Sequence, residues 1–176
     1  MRSRRLGPVL AAALSLTAVA ARAAETPLEL AVKATYLYKV APFVTWPSSA
    51  LGPGQPLTIC VQGSDPFGSL IDRAAAGQRV GGRPVVVRRV ARLQGAECQV
   101  AYLAGSSAQT PAQALEAVAG QPVLTVTDAA HGGARGVIHL VLDAGRVRFS
   151  IDLALAAQNG LAVSSKLLAL ATDVKR

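Results

Sequence analysis

His131 stands in a glycine-rich loop, His131-Gly132-Gly133, where an imidazole could be held beside a ligand as a base. His139, the other histidine, falls in an apolar run that reads as a strand, where a satisfied or surface histidine is the commoner role. Neither comes with a nucleophile motif such as G-x-S-x-G. Asp65, Asp128, Asp143 and Asp152 all fall at turns or helix starts, and capping accounts for them without acid–base work. No nucleophile, base and oxyanion site can be assembled, so no catalytic residue is assigned and a hydrolase is the weakest reading. Cys60 and Cys98 lie far apart, with both histidines at no ligand spacing. No metal site or cofactor is expected from such a set.

Anion binding has a better candidate. Gly63-Ser64-Asp65-Pro66-Phe67-Gly68 follows one strand and opens a helix. It aims backbone N–H groups outward from the carboxyl end of the strand, where open α/β sheets bind ligands. The segment is neither G-x-G-x-x-G nor a P-loop, Asp65 would repel a phosphate, and plain helix capping competes as an explanation. Asp65, Phe67, Gly68 and His131 form the candidate ligand site. Arg79, Arg83, Arg88, Arg89 and Arg92 gather around the second strand. They read as a solvated edge that discourages strand pairing. The sharper alternative takes Arg83, Arg88, Arg89 and Arg92 as a surface for an acidic protein partner. Tyr36, Tyr38, Phe43 and Trp46 pose a similar choice between core packing and interface anchoring.

The elements that must position these groups follow from periodicity. Leu30, Ala34, Leu37, Ala41 and Val44 recur at spacings of three and four, which predicts an amphipathic helix ending before Pro47. Gly52, Pro53, Gly54 and Pro56 mark a loop. Residues 57–61 read as a strand, and a helix capped by Ser64 or Asp65 runs to about Ala76 and stops at Gly77. Residues 85–87 read as a short buried strand and 98–103 as another. Residues 111–119 give a second crossover helix and 123–126 a fourth strand. Residues 137–142 and 147–151 flank the hairpin turn Asp143-Ala144-Gly145. Two short helices, over 152–159 and 164–172, finish the chain. The prediction is one α/β domain: a mostly parallel sheet flanked by helices, Rossmann-like in its layering, with a C-terminal antiparallel hairpin.

The amino-terminal stretch bears on where this domain works. Arg2, Arg4 and Arg5 precede an apolar run over 6–20, and Ala21-Arg22-Ala23 supplies small residues where a signal peptidase reads. That is the pattern of a secretory signal peptide over 1–24, cleaved near Ala23 or Ala24. The run is shorter than the roughly 20 residues a membrane span needs. The remaining domain, 25–176, is long enough to bury a core. Of the formal +8, Arg2, Arg4, Arg5 and Arg22 leave with the leader, so the mature balance falls to +4. That ordinary charge, an exported destination and 4% aromatic content argue against nucleic-acid binding. No membrane insertion is expected after cleavage. In an oxidising compartment the even pair Cys60 and Cys98 reads as one disulfide, two buried reduced thiols being the alternative. A right-handed crossover would allow their strands to be close neighbours.

Four ordered blocks together resemble the YfiR family of small periplasmic proteins. They are Lys33-Ala34-Thr35-Tyr36-Leu37-Tyr38 with Phe43-Val44-Thr45-Trp46-Pro47; Ile59-Cys60-Val61 with Asp65-Pro66-Phe67-Gly68; Pro122-Val123-Leu124-Thr125-Val126-Thr127-Asp128; and Val147-Arg148-Phe149-Ser150-Ile151-Asp152 with Gly160-Leu161-Ala162-Val163-Ser164-Ser165-Lys166-Leu167-Leu168. The chain departs from the family pattern in places. Arg135-Gly136 stands for the usual Gly-Gly, His139 for a common asparagine, and Ser150 and Asp152 for a Glu and an Asn. A second cysteine pair found in some relatives is missing, so redox behaviour attached to it does not carry over. The resemblance implies a periplasmic, non-enzymatic protein, reported as a homodimer in the family. Such a protein inhibits an inner-membrane diguanylate cyclase by binding its periplasmic sensor domain, lowering cyclic di-GMP and biofilm formation. The alternative is a periplasmic small-ligand sensor using the loops after the first and fourth strands.

Overall fold

Thr26 and Pro27 start the first helix. The Thr26 hydroxyl accepts the Glu29 N–H at 3.2 Å, and Pro27 takes the first turn, where a missing N–H costs nothing. The computed structural model describes residues 24–176; the leader predicted over 1–24 lies outside the described residues up to position 23. Helix α1 (Pro27–Lys39) passes through a 3-10 turn (Ala41–Phe43) into the two-residue strand β1 (Val44–Thr45). Then come β2 (Leu57–Gly63), α2 (Ser69–Ala75), β3 (Arg79–Val80), β4 (Arg83–Val90), β5 (Val100–Gly105), α3 (Pro111–Ala117) and β6 (Leu124–Asp128). The hairpin β7 (Ile138–Asp143) and β8 (Arg146–Asp152) follows, then α4 (Leu153–Gln158), β9 (Ala162–Val163), α5 (Ser165–Leu168) and β10 (Asp173–Lys175).

Eight strands form one sheet in the order β10-β8-β7-β6-β5-β2-β4-β3. Strands β4, β2, β5, β6 and β7 pair in parallel, and β7 pairs antiparallel with β8. The predicted single α/β domain, mostly parallel with a C-terminal hairpin, is what forms. Alternation along the central strands sends side chains to two faces. Ile59, Val61, Val100 and Tyr102 pack with α1 and α2, while Cys60, Ala101 and Leu103 pack with α3. Helix α3 begins with a capping box in which Thr110 and Gln113 satisfy each other's backbone N–H groups.

Several local readings change. The second helix starts at Ser69, because Asp65 accepts the Phe67 N–H at 2.7 Å and holds residues 65–68 as a turn ahead of it. Residues 85–87 belong to a longer, half-exposed strand, since only the two-residue β3 lies beyond β4. The last helix stops at Leu168, and β10 then adds in parallel to β8. The pairing of β1 with β9 was not foreseen either.

Candidate functional site

Strands β2 and β5 are adjacent, which brings Cys60 and Cys98 together as a disulfide with Cα atoms 5.8 Å apart. At their carboxyl ends the backbones nearly touch. Gly63 has φ +87°, and a Cβ there would lie 2.3 Å from the Gly105 carbonyl oxygen. The buried Gln62 side chain donates to the Ala91 and Gln109 carbonyls and accepts the Gly105 N–H. Gln109 in turn accepts the Leu93 N–H. Two buried glutamines thus tie the carboxyl ends of β2 and β5 to the loops beyond them.

The predicted ligand residues divide into two groups around this seam. Phe67 is buried edge-on against Tyr102 at 4.7 Å, and Tyr102 meets the His131 ring edge-on at 5.9 Å. Asp65 and the Gly68 carbonyl instead face Arg89. The four predicted partner arginines also part company. Arg89 pairs with Asp65 and Asp72, and this contact holds the Asp72 carboxyl below its ordinary range. Arg83 donates to the carbonyls of Leu51, Gly52 and Gln55. Arg88 and Arg92 are exposed and make no ion pair with a described residue. His139 is buried in β7 with its Nδ1 2.9 Å from Thr127 Oγ1. Burial, then the nearby Arg135 charge, holds its pKa below the ordinary value, with Asp128 opposing.

The least expected feature is a charged group inside the domain. Lys33, on α1, is 1% exposed. Its Nζ lies 2.5 Å from Glu25, 2.6 Å from Glu29 and 2.6 Å from Asp128 at the end of β6. Tyr102 donates to Asp128 Oδ2 at 3.1 Å, while Asp128 Oδ1 accepts the Ala130 N–H. His131 Nε2 stands 3.7 Å from Glu25 and has no hydrogen-bond partner among the described residues. Burial pulls the Lys33 pKa down, but hydrogen bonds to Asp128, Glu25 and Glu29 outweigh it and hold the ammonium above its ordinary value. Burial, with the Asp128 charge, pushes the Tyr102 phenol well above its usual range. Both groups keep their protons at neutral pH. The arrangement is a clamp between helix and sheet.

A second feature lies on the adjoining face of α1, with Glu29 at the border. A groove of about 500 Å³ runs between that helix and the β7–β8 hairpin. Its walls include Leu28, Val32, Tyr36, Leu142 and Val147, with Arg146 and Arg148 beside them.

Comparison with known proteins decides the family. A family model described as YfiR/HmsC-like matches residues 30–172. The chain belongs to that family. A crystal structure of a conserved domain protein from Vibrio cholerae O1 biovar El Tor shares the fold with a TM-score of 0.52 at 14% identity. The match covers 83% of this chain but only 60% of that one. Among curated proteins, no sequence match was found.

In this YfiR/HmsC-like chain, sequence reasoning placed Asp128 and His131 separately and missed Lys33, Glu25, Glu29 and Tyr102 as their neighbours. A signal was present: Glu25, Glu29 and Lys33 lie at spacings of four, with Glu–Lys in the favourable i, i+4 order. The groove also left a trace, since Leu28, Val32 and Tyr36 repeat at that same interval off the predicted core stripe.

Proposed function

We propose that this chain is a periplasmic, non-enzymatic regulator that binds the periplasmic sensor domain of an inner-membrane diguanylate cyclase and holds the enzyme inactive. Cyclic di-GMP and biofilm formation fall as a result. The observation that carries the reading is the YfiR/HmsC-like match over residues 30–172, nearly the whole of the expected mature domain. Two structural facts support it. Lys33 and Tyr102 keep their protons at neutral pH inside a paired cluster, as in a structural clamp. The Cys60–Cys98 disulfide suits an oxidising compartment, and among the described residues no helix is long and apolar enough to cross a membrane.

Inhibition here is a population shift. Binding favours the inactive cyclase only as far as the regulator prefers that arrangement over the active one. On this reading the regulator is a homodimer, as the family resemblance implies, and the disulfide is either a redox control or a structural staple, which the capture experiment separates.

The test is capture from a solubilised membrane fraction by the mature chain, oxidised and reduced, with cyclic di-GMP measured in cells with and without it. Capture of a diguanylate cyclase, together with raised cyclic di-GMP when the regulator is missing, supports the reading. Stronger capture by the oxidised form gives the disulfide a regulatory role, and equal capture leaves it a staple. No cyclase in either state, with unchanged cyclic di-GMP, sinks the proposal. A metabolite then found by mass spectrometry of the purified protein would favour the ligand-sensor alternative.

A further inference from the structure

Helix α1 carries an apolar ridge whose outer part, at Leu28 and Val32, the domain leaves exposed. Leu28, Val32 and Tyr36 stand at i, i+4 and i+8, the row of side chains that packs into a facing helix. Leu28 is 75% exposed, and Leu142, across the groove near the hairpin tip, is 52% exposed. On the hairpin, Leu142 lies directly opposite Val147, and the next pair inward on that face is Leu140 with Phe149. That inner pair is buried, with Phe149 edge-on to Tyr36 at 5.9 Å. An apolar surface therefore runs continuously out of the core into solvent, in the manner of an interaction site.

Charge indicates what would fit there. Arg146 and Arg148 line the groove and make no ion pair with a described residue, and Lys39 borders the adjoining depression beside Val32 and Tyr36. Glu29, the carboxylate on the groove wall, is already paired with Lys33. Apolar walls with uncompensated cations beside them complement an amphipathic helix that carries carboxylates on its flanks. A second copy of this chain fits poorly. In a two-fold pairing of the same groove, Arg146 and Arg148 would meet their own kind.

We propose that the groove between α1 and the β7–β8 hairpin is the docking site for an acid-flanked amphipathic helix in the periplasmic region of the cyclase. This rests on the regulator reading above and gives it a contact surface, away from the arginines of β4.

The experiment compares the mature chain with four variants against a detergent-solubilised diguanylate cyclase from the same membrane, reading both affinity and cyclase rate. The variants are Leu28→Glu, Leu142→Glu, Arg146→Glu with Arg148→Glu, and, as a control on the β4 side, Arg88→Glu with Arg92→Glu. Near-ultraviolet circular dichroism checks that each variant folds, which these exposed positions should allow. Either leucine change is expected to weaken binding by about tenfold or more. The Arg146/Arg148 pair should weaken it by about tenfold and flatten its dependence on salt. The Arg88/Arg92 control should stay within about twofold of the wild type. Full repression by the groove variants alongside loss in the control would move the contact to β4 and overturn the assignment. Light scattering that shows Leu142→Glu turning a dimer into a monomer would give the groove to a second copy instead. Failure of the wild-type chain to bind or repress any cyclase would remove the regulator reading, and this inference with it.

Discussion

Helix α1 buries two charged residues, Glu29 and Lys33, beside its apolar core stripe and leaves Leu28 and Val32 exposed, and the two faces do opposite work. On the sheet side Lys33 is 1% exposed among Glu25, Glu29 and Asp128; on the adjoining face Leu28 is 75% exposed. Burial of an apolar stripe alone would place a helix loosely, because hydrophobic contact has no direction. An ammonium held by three carboxylates from the segment just before α1, the helix and the end of β6 admits one register and one depth. The charged face fixes where α1 sits, which leaves the exposed apolar face free to meet something else. It also shows why burial has to be read residue by residue: long charged side chains are rarely buried unless paired, and exposed leucines matter when they are contiguous.

The strongest way to break this contrast is to remove the clamp. Lys33→Met keeps the side-chain length but leaves buried carboxylates without their cation, and breaking such a pair costs about 3–5 kcal/mol. For a domain of this size that is a fall in Tm of roughly 6–20 °C, readable by calorimetry. A fall under about 2 °C would mean that the charges do not set the helix. The clamp also has a pH signature. Because the Lys33 pKa is raised in the folded state, its contribution is complete below the ordinary 10.5 and disappears as pH climbs through the folded value. Tyr102 acts with the same sign from its ordinary 10.0 upward. Denaturant titrations should therefore show stability falling above about pH 10, and Lys33→Met should flatten part of that fall, leaving the part due to Tyr102.

The disulfide sharpens the contrast from the opposite face of the sheet. Cys60 and Cys98 pack with Leu93, Leu103 and α3, remote from the α1 cluster in both packing and partners. Replacing both by serine should cost about 3–4 kcal/mol on the chain-entropy account. With no shared partners, its effect should add to that of Lys33→Met. A large departure from additivity in denaturant midpoints would show that the two faces are coupled through the sheet.

What could be read from the sequence follows the same division. Periodicity located β2, β5, β6, the hairpin and α1, because each buries a regular apolar pattern. The right-handed crossover brought Cys60 near Cys98 for the same reason. Strands β1, β3, β9 and β10 have two or three residues each, too few for any period to show, and they form only where a partner strand is already in place. The charge cluster was hidden because its members come from positions 25, 29, 33, 102 and 128, and only the closed sheet makes them neighbours. Arg83 and Arg89 read as free surface charge, yet the fold commits them to backbone carbonyls and to the surface carboxylates of Asp65 and Asp72.

A smaller effect belongs to His139, the buried titratable group outside the clamp, with Thr127 on its Nδ1 and Arg135 and Asp128 acting on it from nearby. Its folded pKa lies below the ordinary 6.5, so the unfolded chain takes up a proton that the folded one refuses. Stability should be complete above about pH 6.5 and fall as the medium acidifies, with a slope of at most about 1.4 kcal/mol per pH unit. His139→Asn keeps a polar atom for Thr127 and removes the titration, so its denaturant midpoint should change less between pH 7.5 and 5. An equal slope in both proteins would show that His139 does not set the acid sensitivity in this range. At Asp152 burial is outweighed by the Leu155 N–H and Lys175, which hold the carboxyl below its ordinary 3.8, so its contribution is lost only below that value.

The smallest expected change is the one that decides whether the apolar ridge is surface or core. Leu28→Ser and Leu142→Ser remove side chains that the domain does not cover, and surface substitutions of this kind shift stability by about 0.5 kcal/mol or less in either direction. Both should therefore unfold within a degree or two of the wild type. A loss above about 1 kcal/mol in either variant would mean that the ridge is packed in solution, by the hairpin folding down or by another copy of the chain. The two sides of α1 would then no longer be opposites. Unchanged stability with weakened cyclase binding is the outcome that keeps them so: charge holds the helix in place, and the leucines serve a partner.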